Sequence, residues 1–182
     1  ACLIPEEYGG SGLPLRVAAE IVQAIHQNGG NAAACHAQMY TMGTLLRHGS
    51  PAQKDRYLPA IASGELRLQA FGVTEPTAGT DTTSISTTAV RDGDRYIVNG
   101  QKVWISRAEY SDLMILLART TAKENVSKRT KGLSVFIFDI NEAKQNGMVI
   151  RPIRTMLNHA TTEIFFENVP VPAENLIGNE GD

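Results

Sequence analysis

Ten consecutive residues hold the densest chemistry in this chain: Gly72-Val73-Thr74-Glu75-Pro76-Thr77-Ala78-Gly79-Thr80-Asp81. They follow the apolar stretch Leu68 to Phe71 and run on into Thr82, Thr83 and Ser84. This pattern predicts a strand that opens into a loop of small, hydroxyl-bearing residues. Such a loop presents backbone N–H groups and short donors with little bulk, which suits a flat ligand with polar edges or an anionic group. Two readings stand for Thr74 and Thr80. Their hydroxyls bond a ligand, or they make the local turn that Ser and Thr form at strand ends. Trp104, the single tryptophan, and Ser106 lie in a second segment, Gly100 to Ser106. A lone strand tryptophan is usually core or sheet surface.

The elements that must position these residues change character along the chain. Up to about residue 66 the pattern is helical. After the glycine-rich loop Glu7 to Gly12, Leu15, Ala18, Val22 and Ile25 form one apolar stripe, and Gly29-Gly30 closes that helix. Ala32 to Leu46 predicts a second, largely buried helix. Ser50-Pro51-Ala52-Gln53 is a strong helix start, with Ser50 as cap, Pro51 at the first position and Gln53 reaching back. Leu58-Pro59-Ala60-Ile61 is expected to end that short helix.

Strand signals dominate after Gly64. Asp92-Gly93 and Asn99-Gly100 each predict a tight hairpin, giving three strands in a meander up to Ile105. Leu113 to Ala118 and Leu133 to Ile140 read as longer buried strands, joined by a polar, Lys-rich loop over residues 120–131. Glu163 to Phe166 reads as a last strand, and Val169-Pro170-Val171-Pro172 is expected to leave the sheet. Helices segregated from strands argue an α+β layout, not a doubly wound nucleotide fold. Neither a dinucleotide-binding glycine fingerprint nor a phosphate-loop Gly-Lys-Ser/Thr is present.

With 182 residues, 42% hydrophobic and 20% charged, the composition is that of a globular protein with a real core. A formal charge of -2 argues against a nucleic-acid surface, and no apolar run approaches membrane-span length. Cys2 and Cys35 make no framework, and the four histidines have no paired helical spacing, so a structural metal is not expected. The cysteine usage points weakly to a reducing compartment. Both termini read as cut ends, so the sequence is expected to be a fragment of a longer protein.

The Gly72–Asp81 run resembles, residue for residue, the Thr-Glu-Pro-x-Ala-Gly-Ser/Thr-Asp signature of the acyl-CoA dehydrogenase family. Gly100-Gln101-Lys102-x-Trp104-Ile105-Ser106 is similar to that family's second flavin segment, in the same order and separation. Ile4-Pro5-Glu6-Glu7-Tyr8-Gly9-Gly10, Gly49 to Pro59, Lys131 to Phe136 and Phe166 to Gly178 resemble further family segments, so the likeness covers essentially the whole chain. Met156-Leu157-Asn158-His159 departs from a Gly-x-Arg element found in many members, and Phe71 stands where a tyrosine is common.

The resemblance implies a partial N-terminal helical domain at 1–66 and an antiparallel β-barrel domain at 67–182. It implies FAD as cofactor, held by Phe71, Gly72, Val73, Thr74, Gly79, Thr80, Trp104, Ile105 and Ser106. Trp104 would flank the flavin ring, Ser106 would lie near flavin N5, and Thr80 would touch the pantetheine arm. It implies oxidation of an acyl-CoA to the 2,3-enoyl-CoA, with electrons passed to an electron-transfer flavoprotein. It also implies a homo-oligomer when full length, in a bacterial cytoplasm or a mitochondrial matrix. The general base is expected in a C-terminal domain beyond this sequence. Glu75 is expected to order its loop by accepting backbone N–H bonds and Asp81 to cap a turn, so neither they nor Glu163 is assigned as base, and the fragment alone is expected to be inactive. The rivals are a flavin oxidase or monooxygenase on the same scaffold, and a non-catalytic interaction module.

Overall fold

The computed structural model describes residues 1–157 and 160–182. Three helices come first: α1 Leu15–Gln27, α2 Ala33–His48 and α3 Pro51–Ser63. The start of α3 forms as its sequence dictates. Gln53 N–H donates to Ser50 Oγ at 3.2 Å, and Ser50 N–H donates to Gln53 Oε1 at 3.0 Å. Its end does not: the helix runs through Pro59 to Ser63. A proline's φ is already helical, and Leu58 and Ile61 are buried on either side, so packing carries the helix past one missing bond. Gly64, at φ +87°, is the actual stop. The α1 stripe is only partly covered, with Ala18 buried and Leu15 70% exposed. α2 buries one face, through Ala37, Thr41, Met42, Gly43 and Leu45.

The described residues then form one sheet from β1 Leu68–Gly72, β2 Thr88–Asp92, β3 Arg95–Ser106, β4 Leu113–Arg119, β5 Leu133–Asp139, β6 Met148–Pro152, β7 Thr161–Pro172 and β8 Leu176–Ile177. A six-residue helix, α4 Ile140–Gln145, links β5 to β6. The order is β6-β7-β3-β2-β4-β5-β8, with β1 parallel to β4 and most other pairs antiparallel. The end strands β6 and β8 do not pair, so the sheet curls without closing. The layout is the α+β one expected, with helices first and a β-rich part after them.

Two cores hold it. Inside the curl, Tyr96 meets Phe136 edge-on with ring centres 4.9 Å apart, and Phe138 meets Phe166 at 5.5 Å. Met114, Leu116, Ile164 and Val171 fill the space around them. The other face of β4 and β5, with Leu113, Ile115 and Ile137, packs on Met42, Leu45, Leu58 and Ile61 of the helices. β4 is therefore apolar on both faces, and each fully buried Leu or Ile is worth about 1.5–3 kcal/mol. Among the described residues no helix is long and apolar enough to cross a membrane.

Two expectations are corrected. Asn99-Gly100 is not a hairpin: β3 runs unbroken from Arg95 to Ser106, and the dipeptide sits at a register shift against β7. Gly100, at φ +146°, lets the strand press against Thr87, while Asn99 Oδ1 accepts from Asn168 N–H across the shift at 2.9 Å. The meander is thus two strands, not three. Nor do Val169 to Pro172 leave the sheet, since they pair with Val98 to Arg95. The β6 ladder stops at Phe166, so beyond it the prolines can place their missing N–H on an edge without a partner strand.

Gly100→Ala would put a Cβ 2.6–2.8 Å from Thr87 Oγ1, Cα and Cβ. We expect it to cost about 1–3 kcal/mol, seen as a lower denaturant midpoint. An unchanged midpoint would mean the close approach is not real.

Candidate functional site

The Gly72–Asp81 loop begins where β1 runs out beside β4. Phe71 faces outward, 38% exposed, with its ring centre 6.1 Å from that of Tyr40 on α2. Thr74 is half-buried, and its carbonyl accepts from the Val103 N–H at 2.9 Å. That bond joins the loop to the segment carrying Trp104. Glu75 and Ala78 then exchange backbone bonds of 3.0 and 3.1 Å, closing a tight turn over Pro76 and Thr77. Gly79 and Thr80 follow, both exposed. Asp81 caps the short turn Thr82–Ser84, accepting from Thr83 N–H at 3.2 Å and from the hydroxyls of Thr83 and Ser84 at 2.5 and 2.7 Å. These bonds, with Arg129 opposite, hold its carboxyl at about 2.

Beneath the loop lies an ion pair. Lys102 Nζ and Glu75 Oε1 are 2.8 Å apart, with side chains 0% and 2% exposed. Lys102 also donates to the Val73 carbonyl at 3.0 Å. Glu75 accepts three further bonds, from Thr87 N–H at 2.9 Å and from Ser86 N–H and Oγ at 2.7 Å each. Burial pushes the Glu75 carboxyl up, but Lys102, Thr87 and Ser86 outweigh it and hold it at about 2. Burial pushes the Lys102 ammonium down, and Glu75 opposes that. The pair binds three stretches of backbone: 73–75, 86–87 and 102–103.

Trp104 sits at a second irregularity of β3, where register against β7 shifts between Lys102 and Ile105. Its φ is +61°, and its indole is turned outward and 60% exposed. Ile105 returns to the core, and its carbonyl accepts from Thr162 Oγ1 at 2.9 Å. Gly72 is buried as well. Ser106, half-buried, lines a groove of about 730 Å³ with His36, Tyr40, Arg107 and Tyr110. Arg107 is braced by Gln69 Oε1 at 2.8 Å and lies over the Tyr110 ring, 5.5 Å from its centre.

The structure thus brings Thr74 beside the Trp104 segment, leaves Phe71, Gly79, Thr80 and Trp104 facing outward, and places Ser106 in a groove that starts beside Tyr40. Among the carboxylates, Glu75 and Asp81 are saturated with donors, and Glu163 accepts from Gln101 Nε2 at 3.4 Å. Sequence reasoning missed the roles of Lys102, Ser86 and Thr87. No local signal marks Lys102, which stands between Gln101 and Val103 on its strand. Of the departing stretch, Met156 and Leu157 are almost fully exposed, while Asn158 and His159 lie outside the described residues.

With this geometry in view, the chain matches two family models. "Acyl-CoA dehydrogenase, N-terminal domain" matches residues 1–65, and "Acyl-CoA dehydrogenase, middle domain" matches residues 70–169. Glutaryl-CoA dehydrogenase of Desulfococcus multivorans is 38% identical over 99% of this chain and 46% of its own length. An acyl-CoA dehydrogenase from Geobacillus kaustophilus superposes with a TM-score of 0.86 at 31% identity, covering 98% of this chain and 47% of that one. The prolyl acyl carrier protein oxidase AnaB does so at 0.87 and 30%, covering 98% and 47%. The chain spans less than half the length of these relatives.

Lys102→Met would strand the Glu75 carboxylate without its counter-charge, at an expected cost of about 3–5 kcal/mol in denaturant unfolding. Lys102→Met with Glu75→Gln should recover part of that loss; a single-variant cost below about 1 kcal/mol would show that the pair is not a structural pin. Because the folded carboxyl titrates at about 2, below its ordinary 4.5, the stability it contributes is complete above pH 4.5 and lost as pH falls toward 2. An acid titration of stability flat over that window would contradict the assignment.

Proposed function

The chain belongs to the acyl-CoA dehydrogenase family, and from that premise we propose that it forms the helical part, residues 1–66, and the β-rich part, residues 67–182, of an FAD-dependent enzyme that oxidises an acyl-CoA to the 2,3-enoyl-CoA. One observation carries the reading: the Val103 N–H to Thr74 carbonyl bond, which sets the signature loop against the strand that turns Trp104 outward.

The residues present suit a flat heteroaromatic ring. An exposed indole offers a stacking face. The Thr74, Thr80 and Ser106 hydroxyls, and the backbone of Gly72, Val73, Gly79 and Ile105, offer polar groups for its edge, with Phe71 as an apolar flank. In this reading these residues hold FAD, which when bound supplies the acceptor for the hydride leaving the substrate β-carbon. Thr80, exposed at the far end of the loop, contacts the pantetheine arm. Ser106, at the mouth of the groove, hydrogen-bonds the redox-active part of the ring.

The α-proton needs a base within hydrogen-bond reach. A carboxylate held at about 2 by four donors, as Glu75 is, is too weak a base and too well occupied to serve, and Asp81 is in the same position. Family membership, rather than this exclusion, is what leads us to propose a base outside these 182 residues and a chain inactive alone. The electron acceptor in this reading is an electron-transfer flavoprotein, and the assembled enzyme is a homo-oligomer. Likeness to the prolyl acyl carrier protein oxidase favours a second reading, an oxidase on the same frame; fast reoxidation by air of the substrate-reduced enzyme would select it.

Titrating the 182-residue chain with FAD tests the flavin surface. Weak, saturable binding with quenched flavin fluorescence is expected, and Trp104→Ala should weaken it roughly fivefold, for about 1 kcal/mol of stacking. The exposed indole can be removed without disturbing the core, so its unfolding midpoint should not move. FAD binding that is absent, or equal in Trp104→Ala, would overturn the assignment.

A further inference from the structure

We propose that Arg107 decides which acyl group the site accepts, and that the groove beyond Ser106 selects an acyl-CoA whose chain ends in a carboxylate. This rests on the acyl-CoA reading and deepens it from a reaction to a class of substrate.

The groove, about 730 Å³, opens between α2 and the turn that follows β3. α2 gives it Ala33 and Ala37, one turn apart on one face, with the rings of His36 and Tyr40 beside them. The β-rich part gives it Ser106 and Arg107. Among the described residues that line it, none is an acid and Arg107 alone carries a permanent charge. The wall is thus small or aromatic around one fixed cation.

That cation is held but not neutralised. Arg107 Nε–H donates to Gln69 Oε1 at 2.8 Å, and the guanidinium lies over the Tyr110 ring, 5.5 Å from its centre. Both partners are uncharged, and Arg107 makes no ion pair among the described residues. Its two terminal nitrogens donate to no described residue. One nitrogen is therefore spent on bracing, and the fork of the other two is left for a planar acceptor. Two parallel N–H bonds from such a fork fit a carboxylate in both geometry and charge.

The backbone shows the same commitment. Arg107 sits at φ +63°, in the left-handed region that a residue with a long side chain rarely enters. Its N–H donates to the Ala160 carbonyl at 2.7 Å, and its carbonyl accepts from Tyr110 N–H at 3.0 Å, so the turn fixes where the side chain starts. Gly or Asn would serve a turn alone with less strain. Strained positions of this kind gather where a ligand is met.

Position decides what meets the charge. In the acyl-CoA reading the substrate β-carbon gives its hydride to the ring beside Ser106. Carbons beyond the β-carbon then pass Arg107, the next residue, as they enter the groove. An alkyl chain there would take water from a guanidinium and return nothing. A chain ending in a carboxylate returns the counter-charge. One contact thus attracts the anionic acyl group and rejects the neutral one.

Matched pairs of substrates test this: adipoyl-CoA against hexanoyl-CoA, and suberoyl-CoA against octanoyl-CoA, titrated calorimetrically into the 182-residue chain with FAD present. Within a pair the coenzyme and the chain length are the same, so only the terminal group differs. In at least one pair the carboxylate-tailed member should bind about tenfold tighter, with the preference shrinking as salt is added. Arg107→Gln should erase that preference, and Arg107→Lys, which keeps the charge and loses the fork, should keep part of it. A merely structural Arg107 would change stability and affect both members of a pair alike. Equal binding within both pairs of the unmutated chain, or a preference that survives in Arg107→Gln, would overturn the proposal and leave the acyl-CoA reading standing. The first of these outcomes needs no variant to fold. Binding of neither member of either pair would overturn the acyl-CoA reading, and the selection with it.

Discussion

An ammonium and a carboxylate 2.8 Å apart, both almost fully out of water, are the constraint on which the site depends. Removing two charges from solvent costs more than their attraction returns unless the remaining donors and acceptors are satisfied. Here they are: Glu75 takes four bonds and Lys102 adds one to the Val73 carbonyl. What the pair adds is less net stability than a single arrangement of backbone. A loop of Gly, Ala, Pro and Thr has few apolar atoms to pack, so packing alone would leave it many positions. The pair leaves it one, with Thr74 bonded to Val103 and Gly79 and Thr80 held out to solvent.

The rest of the fold serves this placement. β4, apolar on both faces, joins the core inside the curl to the helices outside it. β1 lies parallel to β4 and releases the loop at a fixed point. β3 passes under the loop, and its two irregularities have different uses. At Gly100 the strand presses close to Thr87, whose N–H holds Glu75. At Trp104 a positive φ turns a large ring out of a strand whose next residue is buried. A large apolar ring held outward at a strained backbone position is costly for folding alone, and such outliers gather where a ligand is met. The proposed flavin surface gives that cost a reason.

Much of this was legible in the sequence, and the limits have physical causes. The helix start at Ser50 is local chemistry, so four residues suffice to read it. Asp81 as a cap and Glu75 as an acceptor of backbone N–H groups follow from acids set among small residues. The hairpin read at Asn99-Gly100 failed because that dipeptide favours positive φ whether the chain turns or merely bulges, and only pairing with β7 decides between them. The Pro170 and Pro172 reading failed for a related reason: a proline's tolerance depends on whether its nitrogen faces a neighbour, a fact of the sheet and not of the strand. α4 and β6 are six and five residues long, too short for periodicity to show. The partner of Glu75 lies 27 residues away, beyond any local pattern.

The central claim is that the signature loop and the Trp104 segment form one surface that meets a flavin. An NMR titration of the chain with FAD tests it directly. The account predicts that amide signals from Phe71 to Thr80 and from Trp104 to Ser106 shift together along one saturation curve, while those of β6 and β8 stay still. Shifts confined to one segment, or two curves with different dissociation constants, would contradict it.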